Sequence, residues 1–236
     1  MILDEAPRVL VVAPHPDDEC LGLGGTIARL THSGALVDVL VIGCNTQPML
    51  AGGKSDTVTR VDELRAACDE LGVHEHTILW KDCPEALNPA AYTAALVSAI
   101  ESHPVASIKQ TRPDIMFIPN AQSHHQDHKA VHHAALAAIR PAGRLRHTPS
   151  IVLGYDGPED AAWLAQGARR PWVVDTTAFH ETKLRAISCH ASQLLPAPHP
   201  RNTQMISVID SANGIIVGAT YAEAFDVYRA AWADVR

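Results

Sequence analysis

Two short stretches of this sequence hold most of the groups that could do chemistry. The first is Val9-Leu10-Val11-Val12-Ala13-Pro14-His15-Pro16-Asp17-Asp18-Glu19, where an apolar run stops abruptly and polar or rigid residues follow. His15 offers a neutral imidazole, Asp17 and Asp18 offer adjacent carboxylates, and Pro14 and Pro16 stiffen the turn that presents them. Successive carboxylates in one turn can divide labour, one binding a metal while its neighbour moves protons. Taken alone, the stretch also fits a solvated acidic loop in which Asp17 or Asp18 caps a helix and Glu19 favours the helix dipole. The second stretch is Ser123-His124-His125-Gln126-Asp127-His128-Lys129-Ala130-Val131-His132-His133. Here His125, His128 and His132 stand at i, i+3 and i+7, which places them on one helical face. Such a stripe can be a solvated surface or a ligand set, and two clusters meeting at one crevice favour the ligand set.

The elements around these stretches decide whether they meet. Residues 9–12 are apolar and valine-rich, as in a strand buried on both faces of a parallel sheet. A helix is predicted from Cys20 to about His32, with Gly34 as its stop. Residues 37–42 read as a second strand and 45–54 as a mobile loop at its carboxyl end. Val61, Leu64, Cys68 and Leu71 fall on one helical face ended by Gly72. Residues 77–80 form a third strand, 90–107 have helical spacing with a break near Pro104, and 115–119 form a fourth strand. An alanine-rich helix then runs to about Arg140-Pro141. Four alternations of strand and helix predict an α/β, Rossmann-like sandwich, with a mostly parallel sheet flanked by helices, in one domain over 1–236. In such sheets the strand order reverses between the first and fourth strands, and ligands bind above their carboxyl ends, where both clusters lie. Gly22 and Gly24 superficially match a dinucleotide fingerprint, but Ile27 holds the third glycine position and two aspartates precede the turn. Close helix packing accounts for these glycines better.

Composition narrows the class. The 236 residues are 47% hydrophobic and 19% charged, which suits a globular enzyme. A net charge of -7 without a basic block argues against nucleic acid or an anionic membrane as partner. Fourteen histidines against three phenylalanines reinforce the search for ligand clusters. The five cysteines contain no CxxC pair and read as reduced core thiols. With no apolar segment long enough for a membrane span or a signal peptide, a soluble cytoplasmic protein is expected.

Pro14-His15-Pro16-Asp17-Asp18-Glu19 and His125-Gln126-Asp127-His128 resemble the motifs of the PIG-L/LmbE-like metal-dependent N-deacetylases. That family includes N-acetylglucosaminyl-phosphatidylinositol deacetylase and the deacetylases of mycothiol and bacillithiol synthesis. Lys183-Leu184-Arg185-Ala186-Ile187-Ser188-Cys189-His190-Ala191-Ser192-Gln193 and Tyr221-Ala222-Glu223-Ala224-Phe225 extend the resemblance to the tail.

The resemblance implies that His15, Asp18 and His128 hold Zn2+, with Fe2+ admitted by the same oxygen and nitrogen donors. It implies Asp17 as general base and a protonated His125 facing the developing oxyanion. Asp127 would either orient His125 or cap its helix. The implied reaction is hydrolysis of an N-acetyl group from an amino sugar or glycoconjugate by a water on the metal, in a homo-oligomer. Two alternatives stay open: a zinc amidase for a larger acyl group or thiol conjugate, and a non-catalytic ligand-binding Rossmann-like module. Gln126 replaces the proline of many members, and Ala121-Gln122-Ser123-His124 is not their commonest loop, so a specialised substrate rim is expected. His132 and His133 read as packing or rim residues. His190 either lines the site or ends a helix, Arg201 either clamps an anion or forms a surface salt bridge, and Trp163 and Trp172 either form a sugar platform or pack.

Overall fold

The computed structural model describes residues 6–48, 54–141, 146–163 and 171–231. In chain order the first half comprises β1 (Arg8–Ala13), α1 (Asp18–His32), β2 (Leu36–Cys44), β3 (Gln47–Pro48), β4 (Lys54–Ser55), α2 (Thr57–Leu71) and β5 (Glu75–Lys81). There follow α3 (Pro84–Leu87), α4 (Thr93–Ser102), α5 (Ile108–Thr111), β6 (Ile115–Pro119) and α6 (Gln126–Ala138). The remainder holds β7 (Ile151–Tyr155), α7 (Pro158–Trp163), β8 (Trp172–Asp175), α8 (His180–Cys189), α9 (Thr203–Val217) and β9 (Ala222–Ala230).

A seven-stranded sheet runs β5-β2-β1-β6-β7-β9-β8. The first five strands are parallel, whereas β9 lies antiparallel to both β7 and β8. Alternation along β1 builds two cores. Val9, Val11 and Ala13 face the layer of α1, α2 and α8, while Leu10 and Val12 face that of α4 and α6. Both faces are therefore dry, which is why these strands are apolar without interruption. The order reverses between β1 and β6, so the carboxyl ends of these neighbours open a crevice.

Three expectations need adjustment. The loop over 45–54 contains a small antiparallel ribbon of β3 and β4, with 49–53 outside the described residues. The helical span 90–107 resolves into a 3₁₀ turn at Pro89–Tyr92, then α4, then α5. His103 ends α4 in an extended conformation because it precedes Pro104. Strands β7, β8 and β9, which the sequence reading did not assign, complete the sheet. Cys20, Cys44 and Cys68 are buried, Cys83 and Cys189 are partly so, and all five are free thiols. Among the described residues, no helix is long and apolar enough to cross a membrane.

Helix α1 is broken where it leaves the crevice: Leu23 has φ -152° and ψ 21°, outside the helical region. The Glu223 carboxylate of β9 accepts from Gly25 N at 2.9 Å and Thr26 N at 2.7 Å, acting as a cap for the second half of the helix. Lys183 Nζ lies 2.8 Å from both Glu223 Oε1 and Asp210 Oδ2, and all three side chains are buried. The glycines permit the close packing expected of them. A Cβ at Gly22 would overlap the Tyr155 ring, and one at Gly24 would sit 3.1 Å from Lys183 Cγ. Lys183→Met should cost about 3–5 kcal/mol, because it leaves two buried carboxylates without a counter-charge. Urea unfolding checks this, and a loss below about 1 kcal/mol would show the cluster to be electrostatically dispensable.

Candidate metal centre and active site

The turn after β1 is held on three sides. Pro14 O accepts from Gly43 N at 2.9 Å, Pro16 O accepts from Arg60 Nη2 at 2.8 Å, and Asp18 Oδ2 accepts from His15 N at 2.9 Å. Asp17 adopts φ +121°, rare outside glycine and best tolerated by Asp and Asn. It occupies the N-cap position of α1 yet makes no side-chain capping bond. The capping alternative for this carboxylate therefore fails. Its Oδ2 lies 3.5 Å from Arg201 Nη1 and its Oδ1 lies 3.9 Å from Arg60 Nη2. Burial raises the Asp17 pKa, and the two arginines oppose that rise.

Asp18 is the focus of the expected ligand set. Its Oδ2 lies 3.4 Å from His15 Nδ1 and 3.3 Å from His128 Nε2. The three donor atoms lie within 4.8 Å of one another. Burial alone would raise the Asp18 pKa, but His128 and His15 hold it well below the usual carboxylate range. Two imidazole nitrogens converging on one carboxylate oxygen fit a divalent ion with positions left for water or substrate.

Asp127 has a different partner from the one expected. Its Oδ2 is 3.0 Å from His15 Nε2 and 3.8 Å from His125 Nδ1. It thus fixes the ring of a candidate ligand, as carboxylates behind metal-binding histidines do. His125 is the N-cap of α6, its Nδ1 accepting from Asp127 N at 3.2 Å. A neutral ring in this role carries its hydrogen on Nε2. Burial, together with neighbouring His15 and His128, lowers the His125 pKa, so the structure favours a neutral donor over the protonated form expected. His132 leaves the stripe altogether: its Nδ1 pairs with Pro119 O at 2.8 Å and its ring packs on Tyr228. It is a packing residue, while His133 is exposed and meets only the edge of the His132 ring in this stripe.

A second layer lies beneath Asp17. Glu19 is fully buried and accepts from Asp17 N at 3.0 Å through Oε2, while its Oε1 pairs with His190 Nε2 at 2.9 Å. His190 thus supports the turn from behind. Arg201 ion-pairs with Glu159 as well as Asp17 and lines the cleft. Trp172 packs against the core from β8, and the Trp163 side chain lies outside the described residues. Arg60 was missed, although Arg60, Leu64, Cys68 and Leu71 share one buried stripe of α2, and a charge on such a stripe is a usable signal.

A cleft of about 480 Å³ opens on Asp18, His125 and His128 and is walled by Gln47, His124, Glu159, Asp160, Gln193, His199 and Arg201. A second chamber of about 270 Å³ adjoins it on the side of His15, Asp17, Arg60, Ala86 and Leu87. His125, Gln47, Gln193 and Arg201 border both.

Burial opposes a charge on His15, yet its hydrogen bonds to Asp127 and Asp18 win and raise its pKa to about 9. Below that pH, a metal must expel one proton to reach the ring nitrogen. Metal affinity should therefore weaken by about tenfold per pH unit as pH falls from 9 toward 7. Calorimetry in buffers of differing ionisation enthalpy should report about one proton released per ion; a pH-independent affinity would mean that His15 is neutral before binding.

The family model described as "PIG-L: GlcNAc-PI de-N-acetylase" matches residues 10–139. The 1D-myo-inositol 2-acetamido-2-deoxy-alpha-D-glucopyranoside deacetylase of Rhodococcus erythropolis is 33% identical, over 82% of this chain and 83% of that protein. In structure, the A40926 pseudoaglycone deacetylase Dbv21 superimposes with TM-score 0.74 at 22% identity, covering 97% of this chain and 100% of that one. GalB, a 4-carboxy-2-hydroxymuconate hydratase of Pseudomonas putida KT2440, gives TM-score 0.71 at 19% identity over 97% and 98%. The fold alone therefore does not select a reaction, whereas the sequence relationship does: the chain is a hydrolase of the N-deacetylase class. It belongs to the PIG-L, GlcNAc-PI de-N-acetylase family.

Proposed function

We propose that this protein hydrolyses the acetamide of an N-acetylated amino sugar or glycoconjugate, using a divalent ion held by His15, Asp18 and His128. The observation that carries the proposal is the convergence of these three donors beside an Asp17 carboxylate that takes no part in the ligand cluster. The ion, zinc or iron, would supply Lewis acidity and an acidified water. Asp17 is the carboxylate placed to take a proton from the attacking water and to return one to the departing amine nitrogen. His125, through Nε2–H, donates to the carbonyl oxygen as charge gathers there. Asp127 fixes the His15 ring, and Arg60 and Arg201 favour the ionised form of Asp17. The cleft volume suits a sugar ring. The sugar itself is inferred from the Rhodococcus relative, whose name gives an acetamido-glucopyranoside substrate.

The same reading treats 1–236 as one cytoplasmic, self-associating catalytic domain. Val208, Ile215 and Ile216, exposed on α9, offer apolar surface for association. A second reading, an amidase for a larger acyl group, is favoured by the chamber beside Asp17, which adds space next to the reacting site. Free amine released from a panel of N-acetylglucosamine conjugates, by chelator-stripped protein with zinc or iron added back, tests the first reading. Release from acetyl substrates with restored metal supports it, and preference for longer acyl groups supports the second. Equal metal-free turnover would reject both.

A further inference from the structure

Gln193 ends the short 3₁₀ turn Ala191–Gln193 that follows α8, and the proposed reaction gives its side chain no part. Only 4% of the residue is exposed, and that remnant borders both the main cleft and the adjoining chamber. Its amide is held from behind. Nε2 donates to Ser55 Oγ of β4 at 2.7 Å and to Ser192 Oγ at 2.8 Å. Ser192 in turn donates to the Glu63 carboxylate of α2 twice, from its backbone N and from Oγ, each at 2.7 Å.

This chain of bonds decides which way the amide faces. A hydroxyl whose one hydrogen goes to a carboxylate presents only lone pairs to its other neighbours, so the Gln193 atom beside Ser192 Oγ is the NH2 group. Both Nε2 hydrogens are then used. Oε1, the other arm of the same planar group, has no partner among the described residues and is left as an acceptor on the cleft wall. An amide does not titrate in the working range, so this acceptor is the same at every pH.

A donor stands nearby. The loop between Gln193 and Arg201 is closed at its base, where Leu195 N donates to Arg201 O and Asn202 Nδ2 donates to Leu195 O, each at 3.0 Å. Arg201 therefore borders the same two cavities as Gln193. Its Nε is given to Glu159 and its Nη1 lies near Asp17, while Nη2 has no partner among the described residues. Two carboxylates already balance the Arg201 charge, so the pair suits a neutral group better than an anion. A sugar hydroxyl both donates and accepts, which an amide oxygen and a guanidinium on one wall can match.

We infer that Gln193, oriented by Ser192 and Ser55, is a specificity-determining residue that accepts a hydrogen bond from one hydroxyl of the sugar ring. This rests on the deacetylase reading and adds a subsite to it. Ser192 is then a positioning residue, acting through Gln193.

The test measures amine release by the zinc-loaded protein from methyl N-acetylglucosaminide and its 3-, 4- and 6-deoxy analogues, together with equilibrium binding of the same glycosides by saturation-transfer NMR. For the native protein, one deoxy analogue should lose about fivefold to tenfold in kcat/KM, the size of one neutral hydrogen bond. Gln193→Ala should raise KM for the parent glycoside by the same factor, leave kcat within about threefold, and abolish discrimination against that analogue. Gln193→Glu, which keeps an oxygen acceptor at the same reach, should retain the discrimination. Ser192→Ala, which frees the amide to turn, should weaken discrimination at the same hydroxyl, and its effect should not add to that of Gln193→Ala.

Native binding with hydroxyl discrimination that Gln193→Ala removes, but no amine release, would reject the deacetylase reading and leave the subsite standing. Amine release with unchanged KM and discrimination in Gln193→Ala would overturn the subsite and leave the reaction standing. Equal loss on every analogue in Gln193→Ala and Ser192→Ala, with lowered thermal stability, would overturn the subsite by making the network structural only. If the native protein neither binds nor turns over any glycoside, both are overturned.

Discussion

Asp17→Asn should lower kcat by about 10³-fold while leaving the metal bound, the loss typical of removing a positioned general base. Asparagine keeps the shape of the side chain, tolerates the positive φ of this turn and preserves the backbone bond to Glu19. What it removes is the carboxylate that Arg60 and Arg201 flank, whose Oδ2 is buried without a hydrogen-bond partner among the described residues. Such an atom is poised to accept a proton that the substrate complex brings to it. Steady-state kinetics and metal content by elemental analysis, measured on one preparation, decide the matter. Turnover near the native rate would remove Asp17 from proton transfer, and a parallel loss of metal would reassign it as a ligand.

Asp18→Ala should act on the metal itself, weakening its binding by about 10³-fold and abolishing turnover at trace zinc. The Asp18 carboxylate is the common neighbour of His15 and His128, the two proposed ligand histidines, and also anchors the backbone of His15. Without it, two imidazoles remain with no anionic donor between them. The rise in Tm that zinc gives the native protein should then disappear, since an ion stabilises the fold only in proportion to its occupancy. An unchanged zinc-induced shift would show that the ion binds elsewhere.

The sequence pointed to the three proposed ligands because each follows a conspicuous buried strand, and the reversal of order between β1 and β6 brings those strand ends together. It was less informative about partners. Asp127 is two residues from His125, which made that pairing the natural expectation, yet its carboxylate reaches across to His15, 112 positions away. Helical spacing grouped His132 with His125 and His128, but His125 precedes the helix as its cap and His132 turns toward the Pro119 carbonyl. Periodicity describes a helix face; it does not say where the helix begins or which stretch of the face meets the crevice. Glu19, Lys183 and Glu223 illustrate a different limit. A charged residue in sequence signals exposure, and only three-dimensional pairing can make it a core residue.

The cap that Glu223 places on α1 has a bearing on how the molecule comes into being. All three proposed ligands, and Asp17, lie within the family-matched segment 10–139, whereas Glu223 and its partner Lys183 lie far downstream of it. During synthesis these residues therefore leave the ribosome long before the strand that secures the broken helix beside them. Docking of β9 is therefore a late step, and it supplies the cap that secures the second half of α1 beside the proposed metal centre.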